Sequence, residues 1–218
     1  MSILSVLQDY NMYNEDITIL QDMKEHELKG KVPEEWIMLS NEKSPETRVN
    51  IVISLWERIV GKELSLFIDS LKTGLRDIIL LKMGHKYYLL YVIQTPADED
   101  IYYIGGNPYN VHRDEYKLAS TVKSFYANLH DGFYDYCFKA MGLVESNKIE
   151  SLKELTENNL DDDNLRDYMG LFSNGMGDYI AIDYNSDNAY LYFKDGESER
   201  NVVFWDVVDE WLSIAIKE

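Results

Sequence analysis

The side chains that could be put to chemical work in this chain are few. Its histidines are His26, His85, His112 and His130, and Cys137 is its single cysteine. None of these falls into an HxxxH, HExxH or CxxC spacing, the patterns that bring two metal ligands to one helix face or one tight turn. His130-Asp131-Gly132, a few residues before Cys137, invites an acid–base reading. Adjacent residues of a helix or strand face apart, however, and a Cys–His pair needs a third group to orient it. Flanked by Tyr136 and Phe138, Cys137 reads as a small buried hydrophobe. Asp161-Asp162-Asp163 concentrates carboxylates but lacks the alternating Asp-x-Asp-x-Asp-Gly order and the distal Glu of a calcium loop. Gly175-Met176-Gly177 is too short for a dinucleotide fingerprint and is expected to open a strand, so it reads as a turn. With no nucleophile elbow, phosphate loop or kinase set, the chain reads as a non-enzyme without metal or cofactor.

Such residues matter only through the elements that hold them. Of 218 residues 45% are hydrophobic, enough for a substantial core in one domain spanning 1–218, with 1–45 as a possible helical N-terminal extension. Ile3, Leu4 and Leu7 hint at a short helix, while Lys31-Val32-Pro33 and Ser44-Pro45 are breaks. Val49, Val52, Ile53, Trp56, Ile59 and Val60 keep helical spacing, and Leu64, Phe67, Ile68 and Leu71 continue it past Gly61. This predicts one long helix or two abutting ones, ended by Thr73-Gly74. Ile78–Met83 and Tyr87–Ile93, joined through Gly84-His85-Lys86, predict a β-hairpin, with Ile101–Ile104 as a third strand. A helix is expected over 117–129, ended by Gly132. Strands follow at Asp178–Tyr184, Ala189–Lys194 and near Asn201–Phe204, and a helix closes the chain at Asp206–Ile216. The grouping gives α+β: a mostly antiparallel sheet flanked by helices.

The charge narrows the partner. Lys and Arg total 21 against 39 Asp and Glu, a formal net charge of -18. Such a chain is repelled by phosphate backbones and anionic membrane surfaces, which argues against nucleic-acid and membrane partners and for a basic one. One cysteine, no basic leader and no apolar run of membrane-spanning length predict a cytoplasmic protein.

Three ordered stretches carry a family resemblance. Val122–Phe133 ends a helix on His130-Asp131-Gly132, Phe172–Asp183 holds Asn174-Gly175-Met176-Gly177-Asp178 before a strand, and Val203–Leu212 carries Phe204-Trp205-Asp206 and Trp211. Together they resemble the SUKH superfamily, which includes the yeast Smi/Knr-type cell-wall regulator and bacterial immunity proteins. Gly132, Gly177, Asp178 and Trp211 are the structural residues the resemblance picks out. It implies a SUKH-like fold and an immunity protein that binds and neutralises a cognate polymorphic toxin, often a nuclease, without catalysis. The alternative it leaves open is an adaptor or scaffold in signalling or cell-wall regulation. A third possibility is a small-ligand or enzymatic pocket near His130 and Asp178. Since a nuclease presents a basic face to its substrate, the expected partner is a protein toxin with such a face, encoded nearby. Exposed carboxylates in two acidic loops, Asp161, Asp162, Asp163, Glu197 and Glu199, are the candidate contacts.

Overall fold

A computed structural model describes residues 3–11, 14–111, 119–156, 165 and 167–217. Asp161, Asp162, Asp163 and His112 lie outside the described residues.

The N-terminal stretch contains helix α1 (Ile3–Asp9), strand β1 (Ile17–Ile19), and helices α2 (Glu25–Leu28) and α3 (Glu34–Asn41). It is not purely helical, because β1 pairs with β2 (Leu75–Met83) and becomes one edge of the sheet. Both sequence breaks begin helices. Pro33 stands at the N-cap of α3, and Ser44 caps α4 (Pro45–Val60) by accepting from the Thr47 amide, with Pro45 in the first turn where no amide proton is needed. The apolar stripe beyond Gly61 forms a separate helix, α5 (Ser65–Gly74). The chain breaks between the two helices because α5 needs its own N-terminus, whose Leu66 and Phe67 amides donate to Asp209 at 3.0 and 2.7 Å.

The hairpin is β2 with β3 (Lys86–Gln94), followed by β4 (Asp100–Gly106). Their long apolar runs reflect burial on both faces. Ile78, Leu80, Leu89, Tyr91, Ile93 and Tyr103 enter the main core, while Ile79, Leu81, Tyr88, Leu90, Val92 and Ile104 enter a second core that includes Leu7 of α1. Further along come α6 (Ser120–Asn128), β5 (Phe133–Asp135), β6 (Met141–Leu143), β7 (Glu150–Ser151), α7 (Leu152–Leu155) and β8 (Tyr168–Asn174). The chain then forms β9 (Tyr179–Asp183), β10 (Ala189–Tyr192), β11 (Glu199–Val202) and α8 (Phe204–Lys217).

The result is α+β, as the sequence predicts: the described residues form one 11-stranded sheet in the order β1-β2-β3-β4-β5-β6-β8-β9-β10-β11, with β7 beside β8. Every pairing between these strands is antiparallel, and Lys29 and Val32 make an isolated parallel bridge outside them. Ile180, Ile182, Leu191 and Phe193 turn one way, towards Leu212 and Trp211 of α8. Gly132 does not end α6, which stops at Asn128; it sits just before β5 at φ +80°. A Cβ there would lie 2.7 Å from the Glu145 amide nitrogen, so this close approach of two backbones requires glycine. Among the described residues no helix is long and apolar enough to cross a membrane.

Candidate functional site

Antiparallel registers decide which turns become neighbours. Gln94 pairs with Asp100, Tyr103 with Asp135, Met141 with Asn174, Ser173 with Tyr179, and Tyr179 with Tyr192. The turns 95–99, 136–140, 174–178 and 193–198 therefore open at the same edge of the sheet and form a single rim. The last three of these turns abut. A Cβ on Gly175 would meet Ala140 Cβ at 2.7 Å, and one on Gly177 would meet Lys194 Cδ at 2.9 Å.

Asp178 ties two of these turns together. Its Oδ2 accepts from Asn174 Nδ2 at 2.8 Å across the β8–β9 turn, and its Oδ1 accepts from the Lys194 amide at 2.9 Å beyond β10. Gly177, at φ +98°, provides the left-handed turn that brings this carboxylate round. The rim is apolar at its centre. Phe138 is 74% exposed and Met176 75%, values far from those of buried large apolar side chains. Tyr10 lies edge-on to Phe138 with ring centres 5.9 Å apart. The 136–140 turn is braced by Asp135, which accepts from the amides of Cys137 and Phe138 at 3.1 and 2.9 Å.

Exposed carboxylates flank these apolar tips. Asp195, Glu197 and Glu199 stand at the β10–β11 end, and Asp98, Glu99 and Asp100 at the β3–β4 end. Of the residues singled out from sequence, Gly177, Asp178, Glu197 and Glu199 thus share one rim. Gly132 and Trp211 lie elsewhere. Trp211 is partly buried against the main core, and its ring lies 5.6 Å from that of Phe172 of β8. The apolar tips escaped the sequence reading, although a signal was present. Met176 sits between two turn glycines, and Phe138 precedes Lys139 in a turn, where no strand face exists to bury either side chain.

The groups with reactive potential are locked. His130 is fully buried, and burial lowers its pKa to about 3, so it is neutral. Its Nδ1 faces the Gly106 carbonyl at 3.3 Å and must donate, which leaves Nε2 to accept from the Tyr91 hydroxyl at 2.7 Å. Tyr91 in turn accepts from Trp56 Nε1 at 2.9 Å. Both ring nitrogens are used, and Trp36, Trp56, Phe125 and Phe133 surround the ring. Burial, helped by the Asp135 carboxylate, pushes the Cys137 thiol up to about 11, where it is a poor nucleophile. His130 and Asp178 do not build a common pocket, since the first is sealed in the core and the second braces turns. Among the described residues no three His, Cys, Asp or Glu side chains gather as a group able to hold a metal ion.

No protein-family model, no curated protein and no solved structure matches this chain.

Proposed function

We propose that the chain is an immunity protein of SUKH type, which binds and neutralises a cognate protein toxin, such as a nuclease, without turnover. The observation that carries the protein-binding part is the rim. Two large apolar tips, Phe138 and Met176, project from abutting turns, and exposed Asp195 and Glu197 share the next turn with Lys194. Apolar anchors within a charged surround are the pattern by which protein interfaces concentrate their affinity. A net charge of -18 favours a basic target and speeds its approach. The toxin part rests on the three motif stretches and on this charge, because a phosphate-handling enzyme carries the complementary basic face. A role by occlusion accords with a locked His130 and an unreactive Cys137.

The test uses the protein encoded beside this chain, purified with its C-terminal domain. Wild type should form a stable complex by calorimetry. The double variant Phe138→Ser, Met176→Ser should weaken it by about 2 kcal/mol or more while leaving the melting temperature unchanged, since both side chains are exposed. Unchanged affinity in the folded double variant would remove the rim from the interface.

A further inference from the structure

Helix α5 ends at Gly74, against the last turn of α8. A Cβ on Gly74 would lie 2.9 Å from the Gln94 carbonyl oxygen and 3.5 Å from Ile216 Cγ2, so glycine lets the end of α5 close onto β3 and α8. At this seam the two helices and the β3–β4 turn border a cavity of about 500 Å³, a size that accepts a small organic molecule. Leu66 of α5, Ile216 of α8 and Pro96 of the turn give it apolar walls. Ile216 is buried, whereas Leu66 is 53% exposed, a large apolar side chain left at the mouth.

Arg76, at the start of β2, lines the same cavity. Its Nε donates to Gln94 Oε1 at 2.8 Å and its Nη1 to the Thr73 carbonyl at 3.1 Å. Gln94 is itself oriented, since its Nε2 donates to Asp98 Oδ1 at 2.5 Å. Two of the guanidinium donors thus fix its plane, and Nη2 stands at the end of the fork. The bond to Thr73 also meets the partial negative charge at the C-terminus of α5, which works against an anion. Asp69, another lining carboxylate, is held by Lys72 at 3.3 Å, and Lys217 brings a second cation to the lining. An oriented guanidinium beside apolar walls matches a carboxylate carried on an apolar body, because the planar fork pairs with two coplanar oxygens.

We infer that this cavity binds a small monocarboxylic acid with an apolar body, its carboxylate on Arg76 and its hydrocarbon between Leu66, Pro96 and Ile216. This inference does not depend on the toxin-binding reading, and its test uses the isolated chain. The ¹⁵N-labelled protein is titrated with 4-phenylbutyrate, 4-phenylbutan-1-ol, 4-phenylbutylamine and acetate at about 0.15 M ionic strength, where the Debye length is about 8 Å. What remains of the field of a chain of net charge -18 favours the amine, so a preference for the acid reports the local guanidinium. The acid should saturate with a Kd of about 1 mM, shift amides within 66–76 and 94–95, and show nuclear Overhauser contacts from its ring to the methyls of Leu66 and Ile216. The alcohol and the amine should bind about tenfold more weakly, and acetate, which lacks the apolar body, should not saturate. Arg76→Gln, at an exposed position, should lose about tenfold for the acid and leave the alcohol unchanged. Three results would overturn the site: no saturation by about 20 mM 4-phenylbutyrate, any of the other three probes binding as well as the acid, or an Arg76→Gln variant whose affinity for the acid falls no further than that for the alcohol.

Discussion

Acidification should loosen this fold through His130, by an amount that the structure defines. The ring is fully buried, held neutral by that burial, and hydrogen-bonded at both nitrogens. Its folded pKa is lowered to about 3 from an ordinary value of 6.5. Below 6.5 the unfolded chain therefore takes up a proton that the folded one refuses. The histidine's contribution is complete above that pH and is lost as the pH falls towards 3, at about 1.4 kcal/mol per pH unit. Between pH 7 and pH 5 the loss from this residue alone is about 2 kcal/mol. Urea unfolding at pH 7, 6 and 5 would measure it against His130→Gln, which can reproduce part of the hydrogen bonding but does not titrate. The variant should be less stable at pH 7 by about 1–3 kcal/mol, and the gap should close by about 2 kcal/mol at pH 5. Carboxylates such as Glu145 titrate in both proteins and cancel in the comparison. Parallel stability curves would refute the reasoning, as would a His130 imidazole NMR signal, identified by its loss in the variant, that titrates near pH 6.

Trp211→Ala should cost about 1.5–3 kcal/mol by urea midpoint, less than a fully buried tryptophan, because its side chain is only partly buried against Phe172 and the main core. Asp209→Ala removes the acceptor for two amides at the start of α5 and should cost about 1–2 kcal/mol, read by thermal unfolding. Replacing Asp161, Asp162, Asp163, Glu197 and Glu199 with their amides should slow partner association several-fold at low salt. The difference should shrink at physiological ionic strength, where the Debye length is about 8 Å. Equal rates at every salt concentration would remove these carboxylates from steering.

Much of the fold was legible because long elements advertise their periods. The helical stripe of α4, the doubly apolar strands β2 and β3, and the closing unit β9–β10–α8 all follow from spacing. The three-residue strands β5 and β6 are too short to show a period, and β8 is interrupted by Gly170, so neither hairpin could be read from pattern. The rim was legible only in pieces. Sequence marks the turn at Gly175-Met176-Gly177 but not the one at 136–140, and that four turns open on one edge depends on antiparallel registers set by side-chain packing. The cavity at Arg76 was invisible for a related reason. A lone arginine reads as solvated, and only the fold brings Gln94 of β3 to it and Ile216 of α8 to the same cavity.

The immunity reading is tested most directly by assaying the protein encoded beside this chain for toxin activity and titrating that activity with the purified wild-type protein. The account predicts a linear fall in activity that ends near one equivalent, independent of incubation time, with active toxin recovered when the complex is dissociated. Loss of activity at a small fraction of an equivalent that grows with time would indicate turnover and contradict it, as would full toxin activity in the presence of excess folded chain.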